Sequence, residues 1–205
     1  MSIVVLISGR GSNLQAILDA GLPVSAVISN VAGAGGLELA ARRGIPTRVV
    51  KHGDFPTREV FEEALAREVD GFSAKLIACA GFMRVMTAGF VARYAGRMLN
   101  IHPSLLPSFT GLRTHERALA AGAKLHGCTV HFVTADLDAG PIVIQAAVPV
   151  LANDSVDTLS KRVLRQEHIV YPQAIKWFLD GKLVIDNGRV SVKGNDAQYL
   201  FDGSS

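Results

Sequence analysis

The chain has 205 residues, 49% of them hydrophobic, and a formal net charge of +3. That apolar content supports one full-sized core. No apolar run reaches the roughly 18 residues of a membrane span, and the opening run is too short and lacks the basic flank of a secretory leader. No membrane partner is expected on that ground; Lys and Arg are scattered without interleaved aromatics, which argues against nucleic acid, and the modest positive bias suits small anionic ligands. Cys79 and Cys128 lie in apolar runs without metal-ligand spacing, as expected of free thiols in a reducing cytoplasm.

In chain order, apolar β-branched runs predict strands at Ile3–Ile7, Val24–Ser29, 47–50, 76–80, Met98–His102, 128–132 and Ile142–Pro149. Helical patterns fall between the early ones, at 13–20, 37–43 and 57–69. In the third, Phe61, Leu65 and Val69 form one stripe, while Glu59, Glu62, Glu63 and Arg67 are expected to face water. A long helix is expected over 155–179, capped by Asp154 or Ser155 and kinked or interrupted at Pro172. Asn187-Gly188 marks a hairpin at about 183–193, and residues 195–205 read as a flexible tail.

Strands alternating with helical crossovers predict an α/β fold: a three-layer, Rossmann-like, mostly parallel sheet of about seven strands with helices on both faces. The last strands are free to run antiparallel. One domain is expected over 1–194, with a phosphate-binding half at about 1–100 and a catalytic half at about 76–180.

Ser8-Gly9-Arg10-Gly11-Ser12-Asn13 joins the first strand to the first helix. Glycines keep such a turn tight, and the helix start offers unpaired N–H groups to a phosphate. The alternative is a plain strand-to-helix turn with Ser12 or Asn13 as N-cap. The third glycine of a dinucleotide fingerprint is missing, as is a Walker lysine, so a monophosphate fits better than a nicotinamide cofactor.

Asn100 and His102 alternate on a strand and should share a face. Asp138 follows in the turn Asp136-Leu137-Asp138-Ala139-Gly140-Pro141. A carboxylate near His102 would favour the imidazolium, a proton donor, and an asparagine N–H can stabilise an oxyanion. No serine or cysteine stands in a nucleophile elbow, and Ser104 reads as a turn residue. Direct attack by a substrate amine on a carbonyl follows. The dispersed His115, His126 and His131 give no expectation of a metal.

Ser8 to Gln15, Ala80-Gly81-Phe82-Met83-Arg84, Asn100-Ile101-His102-Pro103-Ser104-Leu105-Leu106-Pro107, His126-Gly127 and Leu137-Asp138-Ala139-Gly140-Pro141 together resemble the folate-dependent glycinamide ribonucleotide formyltransferases of purine biosynthesis. The likeness runs in order over roughly residues 1 to 190. It implies 10-formyltetrahydrofolate as cosubstrate, with Asn100 holding the formyl oxygen, His102 donating a proton and Asp138 setting the histidine's charge. Gly11, Ser12 and Asn13 would hold the ribonucleotide phosphate, and Glu167 the ribose or glycinamide part. Met83, Arg84, Val85 and Met86 would line the pterin pocket, with Arg58 and Arg84 meeting the folate's carboxylates. A monomer or homodimer is the expected state.

Thr110 departs from the family's proline before Arg113-Thr114-His115, and Lys75 from an acidic residue. Two sister activities share the Asn, His and Asp. The transfer RNA-directed formyltransferases add a C-terminal domain, for which this chain is expected to be too short. The hydrolases of the same folate usually carry a second histidine where Pro103 stands.

Overall fold

The computed structural model describes residues 2–203. The chain forms two compact units, one reaching to Asn100 and the other starting at Ile101. Among the described residues, one mostly parallel sheet of eight strands has helices on both sides.

The first unit begins with strand β1 (Ile3–Ile7), all five of whose residues are buried. A strand covered on both faces has no polar alternation to keep, which is why its sequence is a plain apolar run. Strand β1 pairs with β2 (Val24–Ser29) on one side and β4 (Leu76–Cys79) on the other, both parallel. Strand β3 (Thr47–Val49) lies outside β2, and β5 (Met98–His102) is parallel to β4 through Cys79 opposite Asn100. The crossovers carry helices α1 (Ser12–Asp19), α2 (Gly35–Arg42), α3 (Arg58–Asp70) and the short α4 (Ala88–Arg93). Phe61 and Leu65 of α3 are almost fully buried, each contributing about 1.5–3 kcal/mol of transfer free energy. Glu62 corrects the expected water-facing stripe: it is 4% exposed, because its carboxylate is occupied by donors described below.

In the second unit helix α5 (Thr114–Ala120) precedes two long strands, β6 (Leu125–Phe132) and β7 (Ile142–Pro149). They pair antiparallel, since the connection between them is too short for a crossover helix. Helix α6 (Val156–Leu179) packs on both strands and starts with a capping box between Ser155 and Thr158. It runs through Pro172 without interruption. Buried Val170, Tyr171, Ala174 and Ile175 hold the turns around it, and packing outweighs one missing hydrogen bond. Strands β8 (Leu183–Asp186) and β9 (Arg189–Val192) form the expected hairpin, with Asn187 and Gly188 both at positive φ.

The expected tail needs correction. Tyr199–Phe201 forms β10, which pairs parallel with β7 and supplies the eighth strand. Its tyrosine and phenylalanine suit a strand, but three residues are too few to show a period. The end of that expected tail, Ser204 and Ser205, lies outside the described residues.

Candidate active site

The glycine loop belongs to the first unit. Gly11 is the N-cap of α1, in the left-handed region at φ 83°, and the cap makes no side-chain hydrogen bond. Neither Ser12 nor Asn13, the caps of the plain-turn alternative, is the N-cap. Ser12 is exposed and Asn13 buried, both already within the first turn. A Cβ on Gly11 would stand 2.7 Å from the Gly36 Cα, and Gly36 N–H donates to the Gly9 carbonyl at 3.1 Å. The start of α2 therefore presses directly on the loop, and only paired glycines allow that approach.

The same unit holds the segment 81–87, which has no regular structure. Met83 and Val85 are exposed, Arg84 is half-buried and Met86 buried. Arg58 is the exposed first residue of α3. Among the described residues neither Arg58 nor Arg84 forms an ion pair. Asn100 closes the unit and is half-buried on β5.

The second unit brings His102 and Asp138 together. Asp138 Oδ2 lies 3.5 Å from His102 Nδ1, and the two side chains are 7% and 8% exposed. The other ring nitrogen, Nε2, is 3.1 Å from the Phe109 carbonyl. An imidazolium offers an N–H to each oxygen, whereas a neutral ring leaves one lone pair facing an acceptor. Asp138 is itself held: Oδ2 accepts the Gly111 N–H at 2.7 Å, and its backbone sits at φ 53°. His131 approaches from β6, with Nε2 at 3.9 Å from Asp138 Oδ1. Burial, partly offset by its bond to the Phe132 carbonyl and by Asp138, pushes the His131 pKa down.

The loop after His102 is pinned from three elements. Thr129 of β6 donates to the Ser104 carbonyl at 2.7 Å and accepts the Leu106 N–H at 3.1 Å. Gln145 of β7 donates to Thr129 Oγ1 and to the Leu106 carbonyl, both at 2.9 Å. Thr114 of α5 donates to the Pro103 carbonyl at 2.7 Å. Ser104 is buried and donates to the Ser108 carbonyl at 2.6 Å, as a turn residue does. Further along, His115 Nδ1 and His126 Nε2 stand 3.1 Å apart, with Phe109 edge-on to His126. Burial, then the neighbouring His115, pushes His126 down to about 4, and burial also lowers His115. At the departure Thr110, the carbonyl accepts from Arg117.

Glu167 is buried on α6, close enough to Cys128 to add to the rise that burial imposes on that thiol. The residues expected at the ribonucleotide are thus divided: Gly11, Ser12 and Asn13 in the first unit, Glu167 in the second. Sequence reasoning missed His131, Thr129 and Gln145 as supports. Thr129 and His131 did leave a signal, polar residues at alternate positions of the otherwise apolar run 128–132.

A mostly parallel α/β sheet carrying a histidine and a buried carboxylate at ion-pair distance is the frame of an acid–base enzyme. The chain belongs to the formyl transferase family, whose model matches residues 1–175, and it is a formyltransferase. It is 51% identical to the phosphoribosylglycinamide formyltransferase of Escherichia coli K12, over 89% of each chain. With the human trifunctional purine biosynthetic protein adenosine-3 it shares 46% identity over 92% of its length, which is 19% of that protein. A solved phosphoribosylglycinamide formyltransferase from Coxiella burnetii superposes with TM-score 0.92 at 48% identity, covering 98% of both chains. A formyltetrahydrofolate deformylase from Pseudomonas syringae shares the fold at TM-score 0.86 and 26% identity, over 93% of this chain and 65% of that one.

Proposed function

We propose that the chain transfers the formyl group of 10-formyltetrahydrofolate to the primary amine of 5-phosphoribosylglycinamide, in the cytoplasmic de novo purine route. The products are formylglycinamide ribonucleotide and tetrahydrofolate. The observation that carries this reading is the buried pair of His102 and Asp138 in a formyl transferase. The side chains that would otherwise serve as nucleophiles are withdrawn. Burial drives both thiols toward the neutral form, Cys79 up to about 12, and the Ser104 hydroxyl is committed to Ser108.

The amine therefore attacks the formyl carbon itself. A new C–N bond forms, the bond from the formyl carbon to N10 of the folate breaks, and negative charge gathers on the formyl oxygen in between. Asn100 donates its amide N–H to that oxygen. His102 gives its proton to N10, and the proton released by the attacking amine restores the imidazolium. Asp138 keeps the ring charged and oriented, itself steadied by the Gly111 N–H.

Gly11, Ser12 and Asn13 hold the ribonucleotide phosphate at the start of α1, whose cap residue Gly11 makes no side-chain hydrogen bond. Glu167 meets the ribose or glycinamide part. Met83, Arg84, Val85 and Met86 line the pterin pocket, and Arg58 with Arg84 meets the folate's carboxylates. The enzyme works without a metal, as a monomer or homodimer.

The test follows folate absorbance with 10-formyltetrahydrofolate and either glycinamide ribonucleotide or water alone. Release of tetrahydrofolate only when the ribonucleotide is present is the expected result. Equal turnover in water alone would make the chain a hydrolase, the activity in the name of its Pseudomonas neighbour.

A further inference from the structure

The irregular segment 81–87 is tied at both ends. At its start Ser8 bonds it twice. The Ser8 N–H donates to the Gly81 carbonyl at 3.1 Å, and Ser8 Oγ accepts the Met83 N–H at 2.8 Å. The hydroxyl's own proton goes to Asn30 Oδ1 at 2.6 Å. Asn30 is buried, and its Nδ2 is 3.3 Å from His52 Nδ1. With the proton committed to Asn30, a lone pair of Ser8 must face Met83. At the far end Glu62 takes both donors of Thr87: the N–H to Oε1 at 2.8 Å and the hydroxyl to Oε2. Thr87 in turn caps α4 by accepting the Phe90 N–H.

All of these residues lie in the first unit. Met86 is buried, but Met83 is 67% exposed and Val85 50%, so packing holds the strap mainly at Met86 and the backbone at Met83 depends on these hydrogen bonds. Ser8 also opens the glycine loop, which makes loop and strap one hydrogen-bonded piece.

We propose that Ser8, oriented by Asn30, is a positioning residue for the formyl-folate: its hydroxyl fixes the backbone of 83–86 in the shape that receives the pterin. This rests on the assignment of that strap to the folate. Ser8 touches neither reacting group, so its loss falls on folate affinity rather than on the chemical step.

The experiment compares Ser8→Ala and Ser8→Thr with the unaltered enzyme, after checking that their thermal unfolding is similar. Amide hydrogen exchange at Met83 is read without substrates, and kcat and both KM values are read with them. In Ser8→Ala the Met83 amide should exchange about tenfold faster and KM for 10-formyltetrahydrofolate should rise about tenfold, the scale of one lost hydrogen bond. There kcat should stay within about twofold, and Ser8→Thr, which keeps the hydroxyl, should behave as the unaltered enzyme. Unchanged exchange and unchanged KM in Ser8→Ala would overturn the proposal, as would a Thr variant as impaired as Ala. If exchange quickens but folate KM does not move, Ser8 holds the strap and the strap does not hold the folate, which also overturns it. Failure of the unaltered enzyme to use glycinamide ribonucleotide would sink the assigned reaction. The exchange measurement and 10-formyltetrahydrofolate binding measured alone would still decide the role of Ser8.

Discussion

Asp138 Oδ2 stands 3.5 Å from His102 Nδ1 and 2.7 Å from the Gly111 nitrogen in the usual hydrogen-bond range, so one carboxylate oxygen serves both the histidine and the loop beyond it. Asp138→Asn keeps an oxygen for Gly111 but removes the charge facing the ring. Turnover at neutral pH should fall at least about a hundredfold, the range typical of lost acid–base assistance. Steady-state kcat measures it, and a rate equal to the unaltered enzyme would make Asp138 a plain turn residue.

Thr129→Val tests the support of the loop after His102. The hydroxyl it removes accepts the Leu106 N–H and a Gln145 N–H and donates to the Ser104 carbonyl. Three groups, two of them on buried residues, lose a partner for one atom of nearly equal size. A loss of about 1–3 kcal/mol in denaturant unfolding is expected, with a lower kcat as the loop behind His102 slackens. A variant as stable as the parent would show that the strands alone hold the loop.

Gly11→Ala joins two penalties. The position has φ 83°, and the added Cβ meets the Gly36 Cα at 2.7 Å. Backbone strain and the clash together should cost about 1–3 kcal/mol or more. KM for the ribonucleotide should rise more than KM for the folate, since the loop deforms where the phosphate is proposed to sit. Equal effects on both would argue against a phosphate at this loop.

Acid should destabilise the enzyme through its buried imidazoles. His126 is held down to about 4 and His115 is also lowered from 6.5. Above pH 6.5 both folded and unfolded rings are neutral and nothing is lost. As pH falls below 6.5 the unfolded chain binds protons that the folded rings refuse, so stability declines until His126 charges in the fold near pH 4. At pH 5 the loss from His126 alone is about 2 kcal/mol, or roughly 4–8 °C in Tm. His126→Gln should flatten the Tm profile between pH 6.5 and 4, and an unchanged slope would place the acid sensitivity elsewhere.

Most of the strand and helix inventory was legible because its signals are local. β1 is a buried apolar run, α3 carries a 3.6-residue stripe, and Asn187-Gly188 can hardly be anything but a hairpin turn. The errors were tertiary. Glu62 reads as a water-facing helix residue until Thr87, 25 positions away, supplies two donors. Pro172 reads as a kink or an interruption, and the helix is unbroken because buried neighbours on both sides hold it. Tyr199–Phe201 reads as tail until β7 offers an open edge to pair with.

The sequence by itself determined the α/β class, the glycine turn and the chemical identity of Asn100, His102 and Asp138, because residue type and spacing state what a side chain can do and where along a strand it stands. Only the tertiary structure decided that Asp138 reaches His102 across 36 residues of chain, that His131 stands behind the same carboxylate, and that Ser8 clasps Met83. Those are contacts between distant segments, and no local pattern encodes a distance that only the folded backbone closes.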